Sequence, residues 1–153
     1  NADFARDWAG GRDPQLRALF GLHAAFTLSD ETLATASKMG RDLGVGFHVH
    51  VAEAASDVAV NRAKYGKTPA QRLVAHGILR EGSIAAHAVH CDDADKDALA
   101  ASGAWVVTNP QSNLNNAVGI ADVLGLVKRG IPVGLGTDAM PVHVFAPETA
   151  ARR

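Results

Sequence analysis

Along this chain, short apolar runs of β character alternate with stretches in which apolar residues recur every three or four positions. That is the pattern of strands separated by amphipathic helices. Leu16 to Thr27 predicts a first strand. Ser29, followed by Asp30 and Glu31, then offers an N-cap with acids in the first turn, and Leu33, Ala36 and Leu43 mark the apolar face of a helix ending at Gly44. Gly46 to Ala52 predicts the second strand. A helix around Asp57 to Tyr65 follows, and another opens at Thr68-Pro69 and closes at Gly77, with proline inside the start and glycine past the end. Ser83 to Val89 predicts a third strand, leading into a helix capped near Asp92 and stopped at Gly103. The fourth strand, Trp105 to Thr108, precedes a helix that carries Ile120, Val123, Leu124 and Val127 and stops at Gly130; Pro132 to Thr137 predicts the fifth.

Five strands joined by helical crossovers imply an α/β fold, a parallel sheet with helices packed outside it. A doubly wound sheet and part of a TIM-type (β/α)8 barrel both satisfy that count. Strand parity favours the barrel. Residues two apart share a face, so Asp138 lies with Gly134 and Gly136, His23 with Gly21 and Ala25, and His87 with Ala85 and Val89. Small residues beside polar ones leave room for a ligand near the C-terminal strand ends, where barrel enzymes carry their active sites. No low-complexity or Pro/Gly/Ser-rich linker divides the sequence, so residues 1–153 are expected to form a single domain.

Composition excludes more than it selects. A length of 153 residues supports one domain with a real core, and 47% hydrophobic with 20% charged residues is ordinary for a globular protein. A net charge of −1 gives no reason to expect nucleic acid or an anionic membrane as partner. No apolar stretch has the length of a membrane span and no signal-peptide pattern opens the chain. The single cysteine, Cys91, excludes an internal disulfide and fits a reducing cytoplasm. The chain opens at Asn1 and has no recognisable final element after Met140, so both ends are expected to be cut.

The polar residues at the strand ends carry the candidate chemistry. His48 and His50 share one face of a strand and could ligate one metal, or they could be core histidines satisfied by hydrogen bonds. Glu53, at the exit of that strand, could reach back toward a metal-bound water or complement the dipole of the next helix. His87 sits one strand further on and Asp138 two beyond that; Asp138 could equally cap a helix. His50, Glu53, His87 and Asp138 thus fall at three strand ends, which chance seldom produces. His23 and the turn Asn109-Pro110-Gln111-Ser112-Asn113 occupy equivalent places on the other two strands and suit hydrogen bonding to a polar substrate, although Asn, Pro and Ser are also ordinary turn residues. His76 near a helix C-terminus needs no further role, His90 has the opposite parity to His87, His143 lies in the tail, and Cys91 reads as a small buried residue.

In this order, Gly21-Leu-His-Ala-Ala-Phe-Thr-Leu-Ser, Phe47-His-Val-His-Val-Ala-Glu53, Asn109-Pro-Gln-Ser-Asn113 and Gly134-Leu-Gly-Thr-Asp138 resemble the amidohydrolase superfamily, more closely its deaminase and chlorohydrolase branch and its SsnA-type aminohydrolases. The resemblance covers nearly all of residues 1–140. It implies barrel strands four to eight, with the first strands missing, and one divalent metal, zinc as the expected ion and iron the alternative. It makes His50 and Asp138 metal ligands, His87 the partner of the attacking hydroxide or developing oxyanion, and Glu53 the proton shuttle. His23 and Asn113 become substrate-side contacts, and His48 a supporting residue behind the ligands. The family's first-strand His-x-His pair has no counterpart upstream of His23, and Pro141 to Arg153 does not match the expected final helix.

The implied activity is hydrolysis of a non-peptide carbon–nitrogen bond, deamination of a small, purine-like nitrogen heterocycle by metal-activated water. The alternatives are a catalytically inactive truncated fragment, chlorohydrolase-type dehalogenation on the same scaffold, and a non-catalytic binding domain. The last would need a phosphate-cradling glycine loop that the sequence lacks. The expected partner is a small molecule in the cytoplasm. An opened barrel exposes two strand edges, so marginal stability or self-association as a homo-oligomer is expected.

Overall fold

A computed structural model describes residues 1–9, 13 and 15–139. Its centre is a five-stranded sheet: β1 Phe20–Ala24, β2 Phe47–Val51, β3 Ile84–His87, β4 Trp105–Thr108 and β5 Val133–Leu135. All neighbouring strands pair in parallel and lie side by side in chain order. A doubly wound sheet reverses its strand order at a switch point. This one does not, and it forms an arc of a barrel wall. Among the described residues, β1 and β5 are each paired along one side only.

The helices are α1 Ala2–Ala9, α2 Asp30–Leu43, α3 Ala55–Tyr65, α4 Pro69–Ala75, α5 Asp93–Ser102, α6 Pro110–Asn115 and α7 Val123–Lys128. Their ends follow local chemistry. Ser29 Oγ accepts the Thr32 N–H at the start of α2, and Gly44 ends it at φ 67°. Thr68 and Gln71 form a reciprocal capping box ahead of Pro69, and Asp92 with Asp95 does the same for α5. The first strand is shorter than Leu16 to Thr27, because Thr27 Oγ1 donates to Ala24 O at 2.8 Å and the chain turns into a 3-10 turn over Ala25–Thr27. No strand or helix was expected ahead of Leu16, yet α1 is there. Ala5 is buried and Ala2, Trp8 and Ala9 pack against the core at helical spacing, an apolar stripe that the sequence did offer, and Asn1 Nδ2 ties the start of the helix to Gly21 O at 2.8 Å.

The core lies between the sheet and the helices. Phe47, Val49, Val51, Ala85 and Val106 present one face of β2, β3 and β4 to Leu33, Leu73, Leu79, Leu99 and Leu126. Each fully buried Leu, Val or Phe is worth roughly 1.5–3 kcal/mol over exposure. Gly40 in α2 lies against the Phe47 ring, where a side chain would overlap it. At the lower rim Ser83 Oγ donates to Ile78 O at 2.9 Å and accepts the Phe47 N–H at 3.1 Å. Arg72 of α4 is buried to 1% exposure. Its guanidinium donates to Asp30, Ala25 O and Leu28 O at 2.6–2.9 Å and stacks 3.4 Å from the Tyr65 ring centre. It thereby locks the exit of β1 onto α4.

The opposite face of the sheet carries His48, His50, Ala86, Val107 and Gly134, the register pairs being His50–Ala86 and Val107–Gly134. That face and the C-terminal strand ends beside it hold the candidate site. His143 and the expected mismatch over 141–153 lie outside the described residues.

Candidate active site

The backbone leaves the extended region at the tips of the strands. Ala52 after β2, His87 and Ala88 at the end of β3, and Asp138 beyond β5 all have left-handed φ, 48°, 73°, 52° and 56°. None is glycine. A non-glycine residue held there costs about 1–3 kcal/mol, and such residues gather at functional sites.

This geometry corrects one expectation. Alternation puts His87 on the face of Ala85, but Ala85 is in register with Val49 and Val106 on the core side. His87 reaches the inner side because its φ of 73° breaks the two-residue alternation and swings the imidazole round. On β5, Gly134 and Gly136 both lie against Val107, as two-residue alternation expects. Gly136 has no side chain because one would overlap Asn109 Oδ1 and Val107.

Glu53, His87 and Asp138 meet at the strand ends. Among the described residues they form the one set of three ligand-capable side chains whose atoms all lie within 4.8 Å of one another. His87 Nε2 is 3.6 Å from Glu53 Oε2 and 3.9 Å from Asp138 Oδ2. Those gaps exceed a hydrogen bond and leave space for a single atom, an ion or a water oxygen, in contact with all three. His87 Nδ1 lies 2.8 Å from Asn113 Oδ1 and 3.4 Å from Asn109 Nδ2. The shorter contact, to a carbonyl, puts a proton on Nδ1 and leaves Nε2 facing the two carboxylates. Asn116 Nδ2 donates to Glu53 Oε1 at 3.3 Å, and Ser112 Oγ to Asp138 Oδ2 at 2.6 Å.

His50 stands just outside this set, half-buried. Its ring centre lies 5.3 Å from that of His87 and 5.4 Å from that of His23, so three imidazoles line up across β1, β2 and β3. Burial lowers the pKa of His50, with the neighbouring His87 and His23 adding to the effect and Glu53 and Asp138 opposing it. The imidazole is therefore biased to the neutral form that binds metal. Asp138 is held below the usual carboxylate range by the Ser112 hydroxyl, helped by the Ala139 N–H and by His87 and His50.

The remaining candidates spread out. His23 is exposed, with Nδ1 3.1 Å from Thr27 Oγ1. His48 is exposed on the inner face, one step before His50. Asn113, implied by resemblance to contact substrate, is 1% exposed and sits behind His87, so its amide serves the imidazole. His76 pairs with Asp30 at 3.1 Å, and His90 contacts Val118 O at 2.8 Å, tying two loops together. Cys91 is buried, and that burial, with Asp95 and Asp92 nearby, pushes its thiol up to about 12, which suits a packing residue. Sequence reasoning missed Asn116 and the helical nature of Pro110–Asn115. Proline at the first helical position was the signal available.

Imidazoles and carboxylates at the C-terminal ends of parallel strands stand where barrel enzymes place their catalytic groups. The chain belongs to the amidohydrolase family, whose profile matches residues 3–151. It is 41% identical over 135 residues to a 5-methylthioadenosine/S-adenosylhomocysteine deaminase of Pelotomaculum thermopropionicum, covering 88% of this chain and 31% of that protein. To a 5'-deoxyadenosine deaminase of Methanosarcina mazei it is 36% identical over 135 residues, covering 88% and 31%. A zinc-bound adenosine deaminase of Xanthomonas campestris superposes with a TM-score of 0.81 at 30% identity, covering 89% of this chain and 31% of that one. The chain thus spans about a third of the length of these relatives. No helix among the described residues is long and apolar enough to cross a membrane.

Proposed function

We propose that this chain carries the nucleophile-activating half of a metal-dependent deaminase acting on an adenine nucleoside or a similar small heterocycle, in the cytoplasm. The carrying observation is the convergence of Glu53, His87 and Asp138 from three strand ends, in a family member related to deaminases of adenosine derivatives. The donor set fits a divalent ion. A half-buried imidazole biased to neutrality and a carboxylate held ionised stand beside a second imidazole whose Nε2 makes no hydrogen bond. His50 and Asp138 would hold the ion, zinc by analogy with the Xanthomonas structure.

When bound, the ion lowers the pKa of water to about 7, making hydroxide available at neutral pH. His87 Nε2 accepts a hydrogen bond from the attacking water and orients its oxygen toward the ring carbon that bears the amino group. Asp138 and Glu53 take up the proton released by attack. Glu53 passes a proton to the leaving nitrogen, the carbon–nitrogen bond breaks, and ammonia leaves a carbonyl behind. A second reading, that the chain holds an ion without turning substrate over, rests on the same three converging groups. The two are separated by measuring zinc content and ammonia release from adenosine, 5'-deoxyadenosine and guanine with the wild type and Asp138→Asn. Zinc with ammonia release that the variant abolishes supports the deaminase. Zinc without release supports the second reading, and neither zinc nor release overturns both.

A further inference from the structure

The three converging groups come from three different strands, yet a single short element touches all of them. In α6, Ser112 Oγ donates to Asp138, Asn113 Oδ1 accepts from His87, and Asn116, at the helix end, donates to Glu53. Residues 112, 113 and 116 are related by one and four steps, so they project toward one side of a helix. Two of the three contacts use the atom of the target that the centre does not need, while Ser112 bonds the Asp138 Oδ2 that faces His87. His87 is held through Nδ1, leaving Nε2 free; Glu53 is held through Oε1, leaving Oε2 beside Nε2.

We propose that α6 is the positioning element of this site, with Asn113 fixing the Nδ1–H tautomer of His87 while Ser112 and Asn116 fix the orientations of Asp138 and Glu53. Asn113 is buried, and its Nδ2 has no partner among the described residues, while its oxygen faces the imidazole. Leaving a buried donor unanswered costs about 1–3 kcal/mol. An amide that sat there for packing alone would give that energy away for nothing. The contact with the imidazole is what the arrangement preserves. It does for His87 what a carbonyl or carboxylate behind a metal-site histidine generally does, setting which nitrogen carries the proton and how the ring is turned.

The inference rests on the hydrolytic reading of the site, but its test needs no turnover. Long-range proton–nitrogen spectra of the 15N-labelled, metal-free chain report the tautomer of each histidine, with His87→Gln identifying the signal. His87 is expected as the Nδ1–H form in the wild type, as a mixture in Asn113→Leu, and as the Nδ1–H form again in Asn113→Asp, whose carboxylate accepts the same bond. Zinc affinity is expected to fall about 10–100-fold in Ser112→Ala, whose hydroxyl holds the ligand Asp138. An Nε2–H tautomer in the wild type overturns the proposal whether or not any variant folds. So does an unchanged tautomer in folded Asn113→Leu. If the wild type shows the expected tautomer but neither binds zinc nor releases ammonia, the positioning role stands and the hydrolytic reading fails.

Discussion

Arg72 and His87 are buried to the same extent, each 1% exposed, and the structure treats them in opposite ways. Every nitrogen of the Arg72 guanidinium donates a hydrogen bond, its plane stacks on Tyr65, and its backbone is helical. His87 has one nitrogen engaged, the other turned toward two carboxylates it does not bond, and a left-handed backbone. A buried polar group normally finds all its partners. Arg72 obeys that rule and holds the fold. His87 departs from it twice, and the departures are what make it available to a ligand.

The comparison can be broken at either residue. The largest effect is expected from His87→Gly. In the proposed reaction, losing the imidazole should cut ammonia release about 10²–10⁴-fold. Stability should move less. Relief of the left-handed conformation, about 1–2 kcal/mol, opposes the cost of leaving Asn113 Oδ1 unsatisfied, about 1–3 kcal/mol, so the melting temperature should fall by less than about 8 °C. A fall of about 10 °C or more would place His87 with Arg72 as a structural residue.

Arg72→Met is the reciprocal experiment. Methionine keeps an apolar stem but leaves the carbonyls of Ala25 and Leu28 without their donors. At about 1–3 kcal/mol for each buried unsatisfied group, a loss of roughly 3 kcal/mol is expected. That corresponds to about 6–12 °C in melting temperature by calorimetry. An unchanged melt would show that the clamp contributes nothing.

The smallest effect sharpens the contrast through pH. The hydrogen bond from Arg72 holds the Asp30 carboxyl below its ordinary 3.8, with His76 assisting. A group whose folded pKa is depressed contributes stability above its unfolded pKa and loses it as pH falls through the folded value. The denaturation midpoints of wild type and Asp30→Asn should therefore differ by a constant amount above about pH 5 and converge below 3.8. A difference that persists unchanged to about pH 2 would remove the ion pair from the account.

Much of this molecule could be read from its sequence. The caps at Ser29, Thr68 and Asp92 and the stops at Gly44 and Gly103 fall where local chemistry puts them, and the strand order follows from the alternation of elements. The left-handed tips could not be read. The residues there are Ala52, His87, Ala88 and Asp138, none of them glycine, so counting by twos grouped His87 with Ala85, which faces the core. Arg72 was equally hidden, because its partners are main-chain carbonyls and an aspartate 42 residues away. Glu53, His87 and Asp138 were visible as a set. The helix that braces them read as a turn, for Asn109-Pro110 opens both.

That helix makes the loop after β4 sensitive to length in a way that single substitutions do not reveal. A residue inserted ahead of Ser112 would rotate everything downstream by about 100° around the α6 axis. Ser112, Asn113 and Asn116 would swing away from Asp138, His87 and Glu53 together. Drift in this segment is therefore constrained by spacing as well as by residue type, and a one-codon insertion there would disarm three groups without altering any of them.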